Sequence, residues 1–160
     1  MKRVVKLSLF AMCSAVAVST VLAQDAPQSP EQQAQAAVDT RQGLQKVMGA
    51  QMAPLGDMLK NKKPYDAAEI AKRAQNIANL ASMQPDIFSP DTRKFTLKTK
   101  AREGIWTNKS DFDAKSNDLQ KAATDAATAA KGGADQAALK KALFGIGHGC
   151  SGCHDNFRDK

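Results

Sequence analysis

Two thiols and an imidazole stand within five residues near the end of this 160-residue chain, in the order Cys150-Ser151-Gly152-Cys153-His154. This is the order by which a c-type haem is attached: each thiol adds across one vinyl group, and the adjacent imidazole is held beneath the iron. Cys150 and Cys153 are therefore candidate thioether attachments for one covalent haem c per chain, and His154 is the candidate proximal iron ligand. Two other chemistries draw on the same residue types. A redox Cys-x-x-Cys sits at the start of a helix after a strand, whereas these residues end a chain of helical composition. A structural zinc site takes four ligands, and Cys150, Cys153 and His154 supply three. His148, six residues earlier among glycines, reads as an exposed or loop-like side chain.

The third cysteine, Cys13, falls in the opening stretch, where Lys2, Arg3 and Lys6 lead an apolar run that closes on Val21-Leu22-Ala23. A basic start, a short apolar stretch and a small-residue end are the parts of a secretory signal peptide. The run is short for a membrane span, which needs about 20 consecutive apolar residues. Residues 1–23 are therefore expected to be removed on export to the periplasm, leaving no membrane span. Met12, bulky where a lipoprotein signal has a small residue, argues against a lipid anchor at Cys13. The product keeps only Cys150 and Cys153. A disulfide between them would close a tiny loop and constrain almost nothing.

Loss of the signal leaves 137 residues, enough for one domain with its own core, and lowers the formal charge from +7 to +4. The basic residues are interspersed with Asp and Glu, whereas a nucleic-acid surface clusters them on one face, often with aromatics. That balance argues against a nucleic-acid partner and fits solvated helix faces. The mild excess of positive charge suits acidic partners.

The elements that must carry the motif follow from periodicity. Residues 24–35, polar and holding two prolines, read as a flexible lead-in to a domain spanning 36–160. Beyond them the chain is rich in Ala, Lys, Gln, Leu and Asp, with few β-branched or aromatic residues, which is helical composition. Leu44, Met48, Met52, Leu55 and Leu59 mark one stripe of a first helix, with a bend or loosened turn expected at Pro54. After the turn KNKKPYD, Asp66 can cap a second helix carrying Ile70, Ala74, Ile77 and Ala81. A long connection is expected from Met83 to about Gly104. A third helix starts near Trp106, turns Phe112, Leu119, Ala123, Ala126 and Ala130 inward, and stops at Gly132-Gly133. The fourth starts near Asp135 and sets Leu139, Leu143, Ile146, Cys150, Cys153 and Phe157 on one buried stripe. Four amphipathic helices, two short turns and one longer crossover predict an all-α fold, an antiparallel four-helix bundle with the haem site on its C-terminal helix.

Over roughly residues 36–160 the chain resembles the class II cytochromes c, the family of cytochrome c′ and its low-spin relatives. The matching pieces are RQGLQKVMG in the first helix, KPYDAAEI at the second, IW followed by Phe112 at the third, and CSGCHDNFRDK at the end. The resemblance implies the same attachment through Cys150 and Cys153 and the same ligand, His154. It sets Arg41 near the haem propionates, where a guanidinium can pair with a carboxylate in bidentate fashion, and Arg158 close to the proximal imidazole. Trp106 and Phe112 would pack near the ring, unless they serve as plain core. Ungapped counting from Arg41 and from Pro64 places Gln45 at the position facing the iron, where low-spin members have methionine and five-coordinate members an apolar residue.

A glutamine amide is a weak ligand for iron but can donate a hydrogen bond to a bound gas or water. Met48 lies about 60° around the helix from Gln45 and about 4.5 Å along it, which makes it a candidate distal ligand. Met52 shares Gln45's direction at two turns' distance. Core packing is the plainer reading of both methionines. The expected function is therefore a periplasmic one-electron carrier working with redox partner proteins. The rival reading is a protein that binds nitric oxide or carbon monoxide on an open distal face. No catalytic triad or acid–base pair is visible, so no enzymatic role is expected. The resemblance also implies homodimers built through the first two helices.

Overall fold

The computed structural model describes residues 27–160; the expected signal segment and Cys13 lie outside them. Helix α1 spans Pro30–Leu59. It starts within the segment expected as a flexible lead-in, and Ala34 is already buried. The cause was legible in Ser29-Pro30-Glu31-Gln32, a capping box with Pro at the first helical position. The Ser29 hydroxyl accepts from the Gln32 amide at 3.2 Å, and the Gln32 side chain accepts from the Ser29 amide at 2.8 Å. Helix α1 continues through Pro54, the residue at which a bend or loosened turn is expected. Its ring removes the bond to the Ala50 carbonyl, and Arg73 Nη1, from the next helix, stands 3.5 Å from that oxygen.

Helix α2, Ala67–Ser82, is capped by Asp66 as expected, and buries Ile70, Ala74, Ile77 and Ala81. The connection that follows holds two single-turn helices, α3 (Gln84–Ile87) and α4 (Gly104–Thr107). Asn108 breaks the helical path before α5, Lys109–Lys131, which buries the five inward positions expected of it. Helix α6, Gln136–Phe157, is capped by Asp135, whose carboxylate accepts from the Ala138 amide at 2.8 Å. His148 lies within α6 and is exposed, so it belongs to no loop.

The four long helices make the bundle, with α2 against α5 and α5 against α6 as the most extensive seams. Two apolar clusters fill it. The larger is aliphatic and includes Leu55, Met58, Ile70, Ile77, Leu143 and Ile146. The smaller gathers Leu44, Phe88, Ile105, Phe112 and Phe157 at one end. There Phe112 stacks tilted on Phe88 at 5.0 Å and edge-on to Phe157 at 5.3 Å, arrangements that aromatic rings favour.

Candidate functional site

The thiols fall at the junction of the two clusters: Cys150 packs on the aliphatic one and Cys153 on the aromatic one. Both are free and half-buried, less covered than the Leu139, Leu143, Ile146 and Phe157 that complete their stripe. Close approach of α5 sets this turn of α6. A Cβ on Gly149 would stand 3.2 Å from a Leu119 methyl and 3.5 Å from the Leu119 Cα, so only glycine lets the helices meet there without adjustment.

Burial raises both thiol pKa values, Cys153 to about 11. A reactive redox pair needs the reverse, a thiolate stabilised near neutral pH. Among the described residues no three His, Cys, Asp or Glu side chains gather as a metal site, so the zinc reading has no donor set. His154 follows on the exposed side of the last turn, and partial desolvation, with a smaller push from Arg158, lowers its pKa and favours the neutral imidazole that binds metal. Two thiols one turn apart, with an imidazole directly after the second, fit the donor set of a c-type haem.

The end of α6 is held from outside. Ala101 and Arg158 form an isolated antiparallel bridge, the Arg102 amide donates to the Phe157 carbonyl at 3.0 Å, and the Asp159 amide donates to the Lys100 carbonyl at 2.9 Å. Arg158 is exposed and extended, and its amide donates to the His154 carbonyl at 3.2 Å. The Arg102 guanidinium binds the Asp155 carbonyl and the Asp159 carboxylate. Nothing in the sequence pattern singled out Arg102, because its partners lie more than fifty residues away.

Arg41 is only 3% exposed. Its Nε donates to the Ile87 carbonyl at 3.2 Å, Nη1 to the Thr92 hydroxyl at 3.0 Å, and Nη2 to the Pro90 carbonyl. The guanidinium also lies over the Trp106 ring at 5.1 Å and the Phe88 ring at 5.5 Å. Trp106 is half-buried and its indole N–H reaches the Phe88 and Pro90 carbonyls. The two residues together knot α1, the connection and α4 beside the aromatic cluster. Three of the five guanidinium N–H groups are thereby used within the protein, leaving two for any outside acceptor.

The register of α1 against α6 fixes where Gln45 stands. The two run antiparallel, since Arg41 of α1 and Phe157 of α6 both meet the 87–104 connection, and a Cβ on Gly147 would touch the Met52 methyl at 4.0 Å. Gln45 and His154 each lie seven residues from that contact, about 10.5 Å along their helices toward the same end and within about 20° of the same face. Gln45 is thus level with His154, on the side of α1 that looks toward α6. It is half-buried and makes no side-chain hydrogen bond among the described residues. Met48 is buried, and its sulfur lies 3.9 Å from the Gln84 amide nitrogen. Gln84 itself is 4% exposed, and its Oε1 has no partner. In sequence it reads as a polar residue beside a proline, with no signal that it is buried.

A polar groove of about 540 Å³ between α1 and α2 lies apart from all of this, lined in part by Gln51, Asp66, Glu69 and Arg73. Its Glu69 is occupied by Lys63 and Arg73.

Residues 36–158 match the family model described as Cytochrome C′. The chain is 34% identical over 125 residues to cytochrome c-554 of Cereibacter sphaeroides, covering 77% of this chain and 92% of that protein. Among solved structures it superposes on cytochrome c prime from Shewanella frigidimarina with a TM-score of 0.72 and 35% identity, covering 79% of this chain and 97% of the other. A nitric oxide complex of a mutant of cytochrome c prime from Alcaligenes xylosoxidans superposes at 0.69 with 28% identity, over 79% and 96% of the two chains. Fold, donor set and these likenesses agree: the chain belongs to the cytochrome c′ family of class II c-type cytochromes and carries covalently bound haem c.

Proposed function

We propose that this haem protein is an exported one-electron carrier in which Cys150 and Cys153 make the thioether bonds and His154 binds the iron. Haem c, when bound, supplies an iron that alternates between ferric and ferrous states. The protein supplies the rest: two thiols packed against the core, an imidazole whose pKa is lowered by partial burial, and an aromatic cluster beside Cys153. The observation that carries the reading is the placement of these three residues in the last turns of α6, where Cys150 packs on the aliphatic cluster, Cys153 on the aromatic one, and His154 follows directly. A carrier needs its redox group held firmly. The opening basic and apolar stretch supports export, and no helix among the described residues is long and apolar enough to cross a membrane.

A second reading, capture of a small gas, has one observation in its favour. Gln45, level with His154, is free to donate a hydrogen bond, while the nearby Met48 sulfur is engaged by Gln84. The optical spectrum of the purified protein, oxidised and reduced, with and without carbon monoxide, separates the two. A near-infrared sulfur-to-iron band and no response to carbon monoxide support electron transfer with a methionine ligand. A high-spin spectrum that shifts with carbon monoxide supports gas binding. Haem lost on acid-acetone extraction would refute the attachment through Cys150 and Cys153.

A further inference from the structure

Between Asp91 and Glu103 the chain reads TRKFTLKTKAR, eleven residues with five cations and no anion. In the long helices several cations pair with acids one helical turn away, as in Lys109–Asp113 and Lys121–Asp125, and in the shorter run of Lys60, Lys62 and Lys63 the last is paired with Glu69. The basic run is not a free loop. The Gln42 side chain donates to the Lys98 carbonyl at 3.0 Å, Lys100 and Arg102 bond to the backbone at the end of α6, and Ala101 packs in the cluster that includes Cys153. It lies as a strap across the end of the bundle that holds the thiols and His154.

Two of its charges are spent within the protein, Arg93 on Asp91 and Arg102 on Asp159. Lys94, Lys98 and Lys100 are exposed and make no ion pair among the described residues. Arg158, exposed beside Ala101, adds a fourth cation with no ion pair among the described residues; Asp91 and Asp159, the acids that adjoin the strap, are engaged by Arg93 and Arg102. Holding like charges together on a tethered segment works against folding unless something outside gains from it. Their field acts over about 8 Å at physiological salt and raises encounter rates with an oppositely charged surface.

We propose that the strap of Lys94, Lys98 and Lys100 is the docking surface for a redox partner with an acidic face. The inference rests on the electron-carrier reading and adds where, and with what chemistry, the partner meets the protein. A protein surface fits better than a lipid one, because Phe95 and Leu97, the strap's large apolar residues, are half-buried rather than presented outward.

The test is stopped-flow oxidation of the reduced holoprotein, in which one electron passes from the ferrous protein to one molecule of oxidant. Ferricyanide, a trianion, and tris(phenanthroline)cobalt(III), a trication, are compared from low to high ionic strength. For the wild type, ferricyanide oxidation should slow about tenfold as salt rises, and the cobalt reaction should quicken. Poly-glutamate should inhibit the ferricyanide reaction. Lys94→Glu, Lys98→Glu and Lys100→Glu together should remove both effects, with the corresponding Gln substitutions giving an intermediate slope. Reversal of Lys60, Lys62 and Lys131 at the other end should leave them. Equal slopes in the wild type and the strap variant overturn the proposal. So does strap-dependent binding to anionic phospholipid vesicles with unchanged ferricyanide kinetics. A chain with no covalent, reducible haem overturns the carrier reading as well, and its absorbance shows this before any mixing.

Discussion

Gln45 and His154 stand at one level on two antiparallel helices, so the chemistry of one side chain decides what can approach opposite the imidazole. An amide with no protein partner favours a ligand that accepts a hydrogen bond. Gln45→Leu should therefore release such a ligand about fivefold faster, the equivalent of about 1 kcal/mol for one hydrogen bond; stopped-flow dissociation of the ferrous nitric oxide or carbon monoxide adduct measures it. Met48→Leu should leave the optical spectrum unchanged, because the sulfur is already the acceptor for Gln84. A lost near-infrared band in that variant would show that Met48 leaves the core to bind iron. At the thiols, Cys150→Ala or Cys153→Ala should leave at most one thioether bond. Mass spectrometry and haem staining of denatured protein would show an incomplete, poorly matured product, whereas full two-bond attachment in either variant contradicts the assignment.

Helix α6 presents a conflict between local and tertiary preference. Gly145, Gly147, Gly149 and Gly152 fall within eight residues of it, and each costs a helix interior about 1 kcal/mol against alanine. The cost has a structural return at Gly149, where an added Cβ would press on Leu119 of α5, and none visible at Gly145, whose added Cβ would meet nothing within 4 Å. Gly145→Ala should accordingly stabilise the protein by about 0.5–1 kcal/mol. Gly149→Val should destabilise it by about 1–3 kcal/mol through overpacking against Leu119 and lower haem occupancy by displacing Cys150. Thermal unfolding with occupancy read from the Soret band distinguishes these outcomes. Equal effects at the two glycines would show that helix propensity, not the α5–α6 approach, sets the stability of this turn.

Over the whole molecule, the knot at Arg41 ties α1 to the connection and to Trp106, and only a guanidinium can reach Ile87, Pro90 and Thr92 at once. Arg41→Met should cost about 3 kcal/mol or more by leaving buried carbonyls unpaired, which lowers the melting temperature by about 10 °C; Arg41→Lys should recover little of it. Asp91, next to the knot, has its carboxyl lowered to about 2, chiefly by hydrogen bonds from the Arg93 side chain and backbone. With the folded pKa below its ordinary value, its contribution is present at neutral pH and is lost as pH falls from about 4 to about 2. Asp91→Asn should flatten that part of the acid-unfolding curve slightly, since the pair is exposed; an unchanged curve would show that the pair adds nothing. The sequence by itself determined the four long helices, because their stripes repeat at the helical period and their caps are local, and it determined the haem motif, because attachment needs only a fixed spacing within one helix. Even the early start of α1 was written in Ser29-Pro30-Glu31-Gln32. Only the tertiary structure decided that Arg41 is a buried tie, that Gln84 reaches Met48, that Arg102 clamps the end of α6, and that a basic strap lies beside the thiols. Each of these joins residues distant in the chain, and no periodicity or spacing records a contact that exists only once the helices have packed.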